Sequence, residues 1–215
     1  MRGKIIYLVF GIVLFIEISG CTPGDRYKRI VRKELAKGIR VDSLFLELSL
    51  GMTEKDFYTH CWELNKQGII RQGSSNTSVF YKMSELDDPV NMNFYPNFYE
   101  GKIYEMPVKF NYEGWAPWNQ HLSSDSLQLE ILNHYKKWYG DNFISVRHPT
   151  RGVAYIKVDG NRRITLFKED ERVVWAIFTD LLVERELKKH ADFKKDGEKN
   201  TNEIEPPQDL SGMYN

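Results

Sequence analysis

Hydrophobic patterning divides the chain into a short apolar leader, two blocks of alternating helix and strand periodicity, and a polar end. Arg2 and Lys4 precede twelve uncharged apolar or glycine residues, Ile5 to Ile16, closed by Glu17. This is the charged start and short apolar run of an export signal. A membrane-spanning helix needs about 20 apolar residues to cross a core of about 30 Å, so the run is too short to span.

Beyond the leader, Asp25 to Arg40 holds seven basic and two acidic residues, with Ile30, Val31, Leu35 and Ile39 near helical spacing. Two readings stay open for this basic spacer. It either lies on anionic headgroups or docks its apolar edge on the body of the protein. After Leu44 to Leu48, Thr53 is a good N-cap, Glu54 and Asp56 suit the first turn of a helix, and Gly68 suits its end. Phe57, Cys61 and Leu64 at i, i+4 and i+7 give that helix one buried face, which makes Cys61 a small core residue.

Three period-two runs follow: Val79, Tyr81 and Met83; Val90, Met92 and Phe94; and Met106, Val108, Phe110 and Tyr112. Asp87, Asp88 and Pro89, and then Pro96 and Asn97, supply turns. A second block repeats the order. Leu127, Ile131, Tyr135 and Trp138 predict a helix ending at Gly140, and strands are expected around 143–147, 153–158, 164–167 and 173–178. Val158-Asp159-Gly160-Asn161-Arg162 is a tight hairpin signal, which makes these strands an antiparallel meander. A terminal helix from Thr179 or Asp180 to about His190 turns Leu181, Leu182 and Leu187 inward. The expected fold class is α+β, built from two consecutive helix plus antiparallel-sheet units at 42–118 and 119–190. Residues 191–215 are polar and read as a disordered tail.

Composition narrows the function. The chain has 215 residues, 41% hydrophobic, with 12 Tyr, 12 Phe and 5 Trp, enough for a substantial core. Without residues 1–20, 28 basic side chains face 29 acidic ones. A neutral body lacks the basic stripe of a nucleic-acid binder, so no nucleic-acid partner is expected. Cys21 and Cys61 are the only cysteines.

Ile18-Ser19-Gly20-Cys21 resembles the lipobox of bacterial lipoproteins, in which an aliphatic residue and two small ones precede a cysteine. The resemblance implies cleavage after Gly20 and lipidation of Cys21, which becomes the acylated N-terminus of the 21–41 spacer. Two or more acyl chains hold a protein stably on a bilayer. Thr22, rather than aspartate, by the same resemblance favours the outer membrane of a bacterial cell envelope. With Cys21 acylated, Cys61 has no disulfide partner.

Gly51-Met52-Thr53, following a lipobox and a basic spacer and leading into a helix and antiparallel strands, resembles the BamE/SmpA-type outer-membrane lipoproteins. That resemblance rests on these three residues and about twenty of context. It implies helices packed on a small antiparallel sheet, here a tandem BamE-like arrangement, and a role assisting envelope assembly. The neutral, aromatic-rich body is also similar to those of many Bacteroidetes lipoproteins.

Candidate chemistry is sparse. His60, His121, His134, His148 and His190 show no metal-ligand spacing, and no cofactor or metal is expected. His60 and Cys61 are adjacent, so on a helix they point about 100° apart and do not form a dyad. No nucleophile elbow or phosphate loop occurs, and Ser123, Ser124 and Asp125 suit helix capping. Arg147 and Arg151, flanking His148-Pro149-Thr150, are candidate anion-binding residues in a hairpin loop. Arg162 and Arg163, on opposite faces of a strand, do not share a site.

Tyr95, Tyr99, Trp115 and Trp118 lie in proline-stiffened loops and are candidate ligand-binding residues, because rigid rings lose little entropy on contact. Packing of these rings into the core is the alternative. The sequence thus predicts a noncatalytic, membrane-anchored envelope lipoprotein with an envelope protein as partner. A surface glycan-binding lipoprotein and an envelope hydrolase are the other two readings.

Overall fold

A computed structural model describes residues 23–73, 78–148 and 152–198. Cys21, Arg151 and the chain from 199 lie outside them. The fold is α+β, with four α-helices, one 3-10 turn and nine strands among the described residues. None of these helices is long and apolar enough to cross a membrane.

The strands predicted in both units form, the second unit makes the expected meander, and the first gains two strands the periodicity did not show, Ile70–Gln72 and Asn97–Tyr99. The first contains β1 (Ile70–Gln72), β2 (Val79–Met83), β3 (Val90–Phe94), β4 (Asn97–Tyr99) and β5 (Lys102–Tyr112). The second contains β6 (Ile144–His148), β7 (Gly152–Asp159), β8 (Arg162–Lys168) and β9 (Val174–Asp180). They join along β5 and β9, so that one antiparallel sheet runs β1-β2-β3-β5-β9-β8-β7-β6. β4 folds back on the start of β5 through Glu100 and Gly101, both at positive φ, as a two-residue hairpin requires. Asn97 therefore belongs to a strand rather than a turn, and the expected turn reduces to a corner at the buried Pro96.

On one face, Met92 and Phe94 lie opposite Phe110 and Val108, while Ile164 and Leu166 lie opposite Phe178 and Ala176. All are buried, in one core that crosses the boundary between the two meanders. Helix α3 (Ser124–Tyr139) covers this face with Leu127, Ile131, Leu132 and Tyr135. Trp138 departs from the expected stripe and is 48% exposed, packed beside His134. Ser123, Ser124 and Asp125 make no side-chain cap. Ser124 Oγ donates instead to Asp170 O at 2.6 Å and Asp125 pairs with Lys168, tying α3 to β8 and the turn that follows it.

Helix α1 (Pro23–Ala36) lies on the opposite face of the far edge. There Tyr27, Ile30, Val31 and Leu35 pack with Ile144, Val146, Ile156 and Val158 of β6 and β7. The basic spacer thus docks on the body. Ile39, expected in the same apolar stripe, stands 57% exposed because α1 has already ended. Helix α4 (Leu181–Glu198) runs past the expected end at His190 into the stretch read as tail. No proline or glycine occurs before Gly197 to stop it.

Residues 42–50 form a plug that sequence periodicity does not reveal. Leu44 N donates to Leu48 O, Leu50 N to Asp42 O, and Leu46 and Glu47 turn the tip at φ 48° and 60°. Left-handed backbone costs a non-glycine residue about 1–2 kcal/mol. Burial of Leu44, Phe45 and Leu48, at about 1.5–3 kcal/mol each, outweighs it. Phe45 meets Phe94 edge-on at 5.0 Å and Phe178 at 5.7 Å.

The predicted β7–β8 hairpin is also the polar centre of the molecule. Asp159 holds two buried cations, Lys157 at 2.9 Å and Arg162 at 3.1 Å. Arg162 also donates to Ser43 and lies over the Tyr139 ring. Asn161 Oδ1 accepts from Val41 N at 2.6 Å, and Asn161 O accepts from Leu181 N at 2.8 Å. Asp180 pairs with Arg40 at 3.0 Å and accepts from Leu182 N. Across the strand, Arg163 pairs with Glu184 at 2.8 Å and donates to Tyr27. The two arginines serve opposite faces, as their alternation requires.

Two outcomes follow. Asp159→Ala strands the buried Lys157 and Arg162 without their shared carboxylate and lowers unfolding free energy by about 3 kcal/mol or more in a denaturant titration. Gly160 has φ +53°, and a Cβ there would lie 2.2 Å from Ile39 O. Gly160→Ala therefore costs at least about 2 kcal/mol by the same measurement.

Candidate functional site

Helix α2 (Glu54–Lys66) starts at the expected N-cap, where Thr53 Oγ1 accepts from Asp56 N at 3.1 Å. Phe57 is buried, while Cys61 and Leu64 are half-buried on the same side. Tyr58 and Trp62, one turn apart, point outward over the outermost strands of the sheet. With Phe57, Cys61, Tyr95, Ile70 and Val79 they line a groove of about 460 Å³, whose polar wall includes Asn65, Arg71 and Gln72.

Local contacts hold the groove in shape. Phe57 meets Tyr58, Tyr95 and Phe98 edge-on at 5.5, 6.0 and 6.1 Å. The Tyr58 and Tyr95 hydroxyls share a hydrogen bond of 2.5 Å, and this bond above all pushes the Tyr58 phenol up to about 12. Tyr58 stays neutral in ordinary buffers and keeps a donor and acceptor at the rim. Asn65 Nδ2 donates to Ile70 O at 3.1 Å, fixing the helix end to β1. Lys66 Nζ sits 3.3 Å from the Trp62 ring centroid and the Arg71 guanidinium 4.2 Å from that of Phe80. Cations over rings gain electrostatic attraction, which holds the Lys66 and Arg71 side chains in place.

Burial pushes the Cys61 thiol up to about 11. His60 does not approach it as a base, because His60 Nε2 is hydrogen-bonded to Leu46 O at 2.6 Å. A thiol held protonated suits packing rather than nucleophilic attack. Among the described residues, no three His, Cys, Asp or Glu side chains form a group able to hold a metal.

Of the four candidate aromatic residues, the structure brings only Tyr95 into this groove. Tyr99 lines a separate cavity of about 780 Å³ with Tyr104, Arg40, Asp42 and Asp180. Trp115 is half-buried under the Arg172 guanidinium, 4.9 Å from its ring, and packs on the core. Trp118 is 87% exposed. The four rings do not form one platform. Arg147 is exposed on β6 and lines a third cavity with Asp125, Gln128 and Lys168, while Arg151 lies outside the described residues.

Sequence periodicity does not single out Tyr58 and Trp62. Their signal is an i, i+4 aromatic pair beside the Phe57–Cys61 core stripe, on a face that core packing leaves unused. Comparison with protein families, curated proteins and solved structures returns no match.

The thiol gives a direct test of this geometry. A pKa displaced from about 9 to about 11 leaves about a hundredfold less thiolate near neutrality. In a Cys21→Ser chain, Cys61 should be alkylated about a hundredfold more slowly than in urea, with the rate still rising above pH 9. Unfolding restores the ordinary pKa, so any stability tied to the protonated thiol is present at neutral pH and lost as pH climbs from about 9 to 11.

Proposed function

We propose that this chain is an acylated, membrane-tethered envelope protein that acts by binding a partner protein, with the groove between α2 and the β1–β2 edge as its contact surface. The observation that carries the reading is the pair Tyr58 and Trp62, 47% and 56% exposed, on a helix that buries only Phe57. Partly exposed Trp and Tyr rings, with Arg71 in the same lining, are residue types enriched in binding hot spots. The groove is largely pre-formed, since Phe57 and the Tyr58–Tyr95 hydroxyl pair hold its walls before any partner arrives. The lipobox residues Ile18 to Cys21 supply the tether, and the mass of the mature N-terminus tests it.

A second reading, glycan retention, is favoured by the exposure of Trp118. A lone ring that projects into solvent offers a stacking face to a sugar.

The two readings separate by mutation. Trp62→Ala leaves the core intact and should shift melting by no more than about 1–2 °C, while lowering recovery of a specific crosslinked envelope partner at least about tenfold. Retention on immobilised envelope polysaccharide, abolished by Trp118→Ala but not by Trp62→Ala, would replace partner binding with glycan binding. Equal crosslinking by wild type and Trp62→Ala would remove the groove from the mechanism.

A further inference from the structure

Helix α1 is held to the body on one side and basic on the other. Tyr27, Ile30, Val31 and Leu35 face β6 and β7, and the Tyr27 hydroxyl accepts from the buried Arg163 at 3.0 Å. Glu34 is fixed beside the β7–β8 turn, where its carboxylate accepts from Gly160 N at 3.4 Å and pairs with Lys37. On a helix with 100° per residue, Asp25 and Arg29 lie near the middle of the outward side, Arg32 and Lys33 flank them, and Arg26 and Lys28 lie at its margins; all six are exposed. Asp25 and Arg29, of opposite sign, cancel in the charge count. The mature chain as a whole is nearly neutral, with 28 basic side chains against 29 acidic ones, so the basic excess on this ridge of α1 is a local concentration of positive charge.

Covalent geometry places the ridge. Cys21 lies two residues before Pro23, and two residues span at most about 7 Å. A lipid on Cys21 therefore enters the bilayer within one short step of the first turn of α1. The apolar face of α1 is already buried against the sheet, so the helix does not insert as an amphipathic anchor would. Only its basic face remains for the membrane.

We propose that the outward face of α1, through Arg26, Lys28, Arg32 and Lys33, is a seat for anionic phospholipid headgroups. Contact there fixes which side of the body faces the bilayer. The proposal rests on the acylated reading, because the tether is what brings α1 to the surface. Charge complementarity selects the occupant. A polybasic segment beside a bilayer gains about fivefold in partitioning per basic residue, and the gain is screened by salt.

The test uses the mature full-length chain with Cys21→Ser, so that headgroup contact is read without acyl chains. At low ionic strength it should sediment with phosphatidylethanolamine–phosphatidylglycerol vesicles at least about tenfold more than with phosphatidylethanolamine alone, and high salt should release it. Substituting R26Q, K28Q, R32Q and K33Q together should remove at least about tenfold of that partitioning with an unchanged melting profile. If the quadruple variant melts early, the salt and lipid dependence of the parent chain decides. Partitioning that ignores phosphatidylglycerol, survives high salt, or persists in a folded quadruple variant overturns the seat. Failure of acylation is a separate result, read from the mass of the native N-terminus.

Discussion

Pairing of β5 with β9 makes this chain one body. From Glu105 opposite Thr179 to Phe110 opposite Val174, two meanders that would each expose an edge satisfy each other's backbone groups. The same register sets Met106, Val108 and Phe110 beside Phe178, Ala176 and Val174 on a single face, so one core forms across the join. The Phe45 plug and α3 both use that shared face, packing on residues from both halves. The constraint also explains the length of β5, whose eleven residues must pair with β3 and β4 on one side and β9 on the other.

A second constraint is electrostatic. Buried charge is costly unless each cation meets a carboxylate, and the β7–β8 turn places Lys157, Asp159 and Arg162 where pairing is possible. Because Arg162 reaches Ser43, Asn161 reaches Val41 and Asp180 reaches Arg40, the segment joining α1 to the plug can dock in only one way. The left-handed tip at Leu46 and Glu47 is tolerable for that reason: the strand entering it is already fixed.

Much of this was legible in the sequence because periodicity reports burial. The α2 cap at Thr53, the α3 stripe through Leu127, Ile131 and Tyr135, and the hairpin at Gly160 all follow from local chemistry. The join between the halves was not, since a strand buried on one face reads the same whichever strand lies beside it. The plug escaped for a related reason: Leu44, Phe45 and Leu48 follow neither a helical nor a strand repeat. Trp138 and Ile39 show the limit of apolar identity as a guide, both lying where an element has turned away from the core. The groove was half legible. Loop composition pointed to Tyr95, whereas Tyr58 and Trp62 sat on a helix whose core stripe accounted for its periodicity.

Sheet order relates the proposed anchor to the proposed contact surface. α1 packs on β6 and β7 at one end, and the Tyr58–Trp62 groove lies over β1 and β2 at the other. Strands lie about 4.8 Å apart, so crossing the sheet separates these ends by roughly 30 Å. A body seated through α1 beside a lipid on Cys21 would hold its aromatic groove well away from the headgroups, open to a partner in the aqueous space. The separation is maintained because the anchor side is docked helix rather than free linker. Tyr27 and Glu34 bind α1 to the same hairpin that fixes the plug, so in the proposed seat the distance from membrane to groove would be set by the sheet and not by chain flexibility.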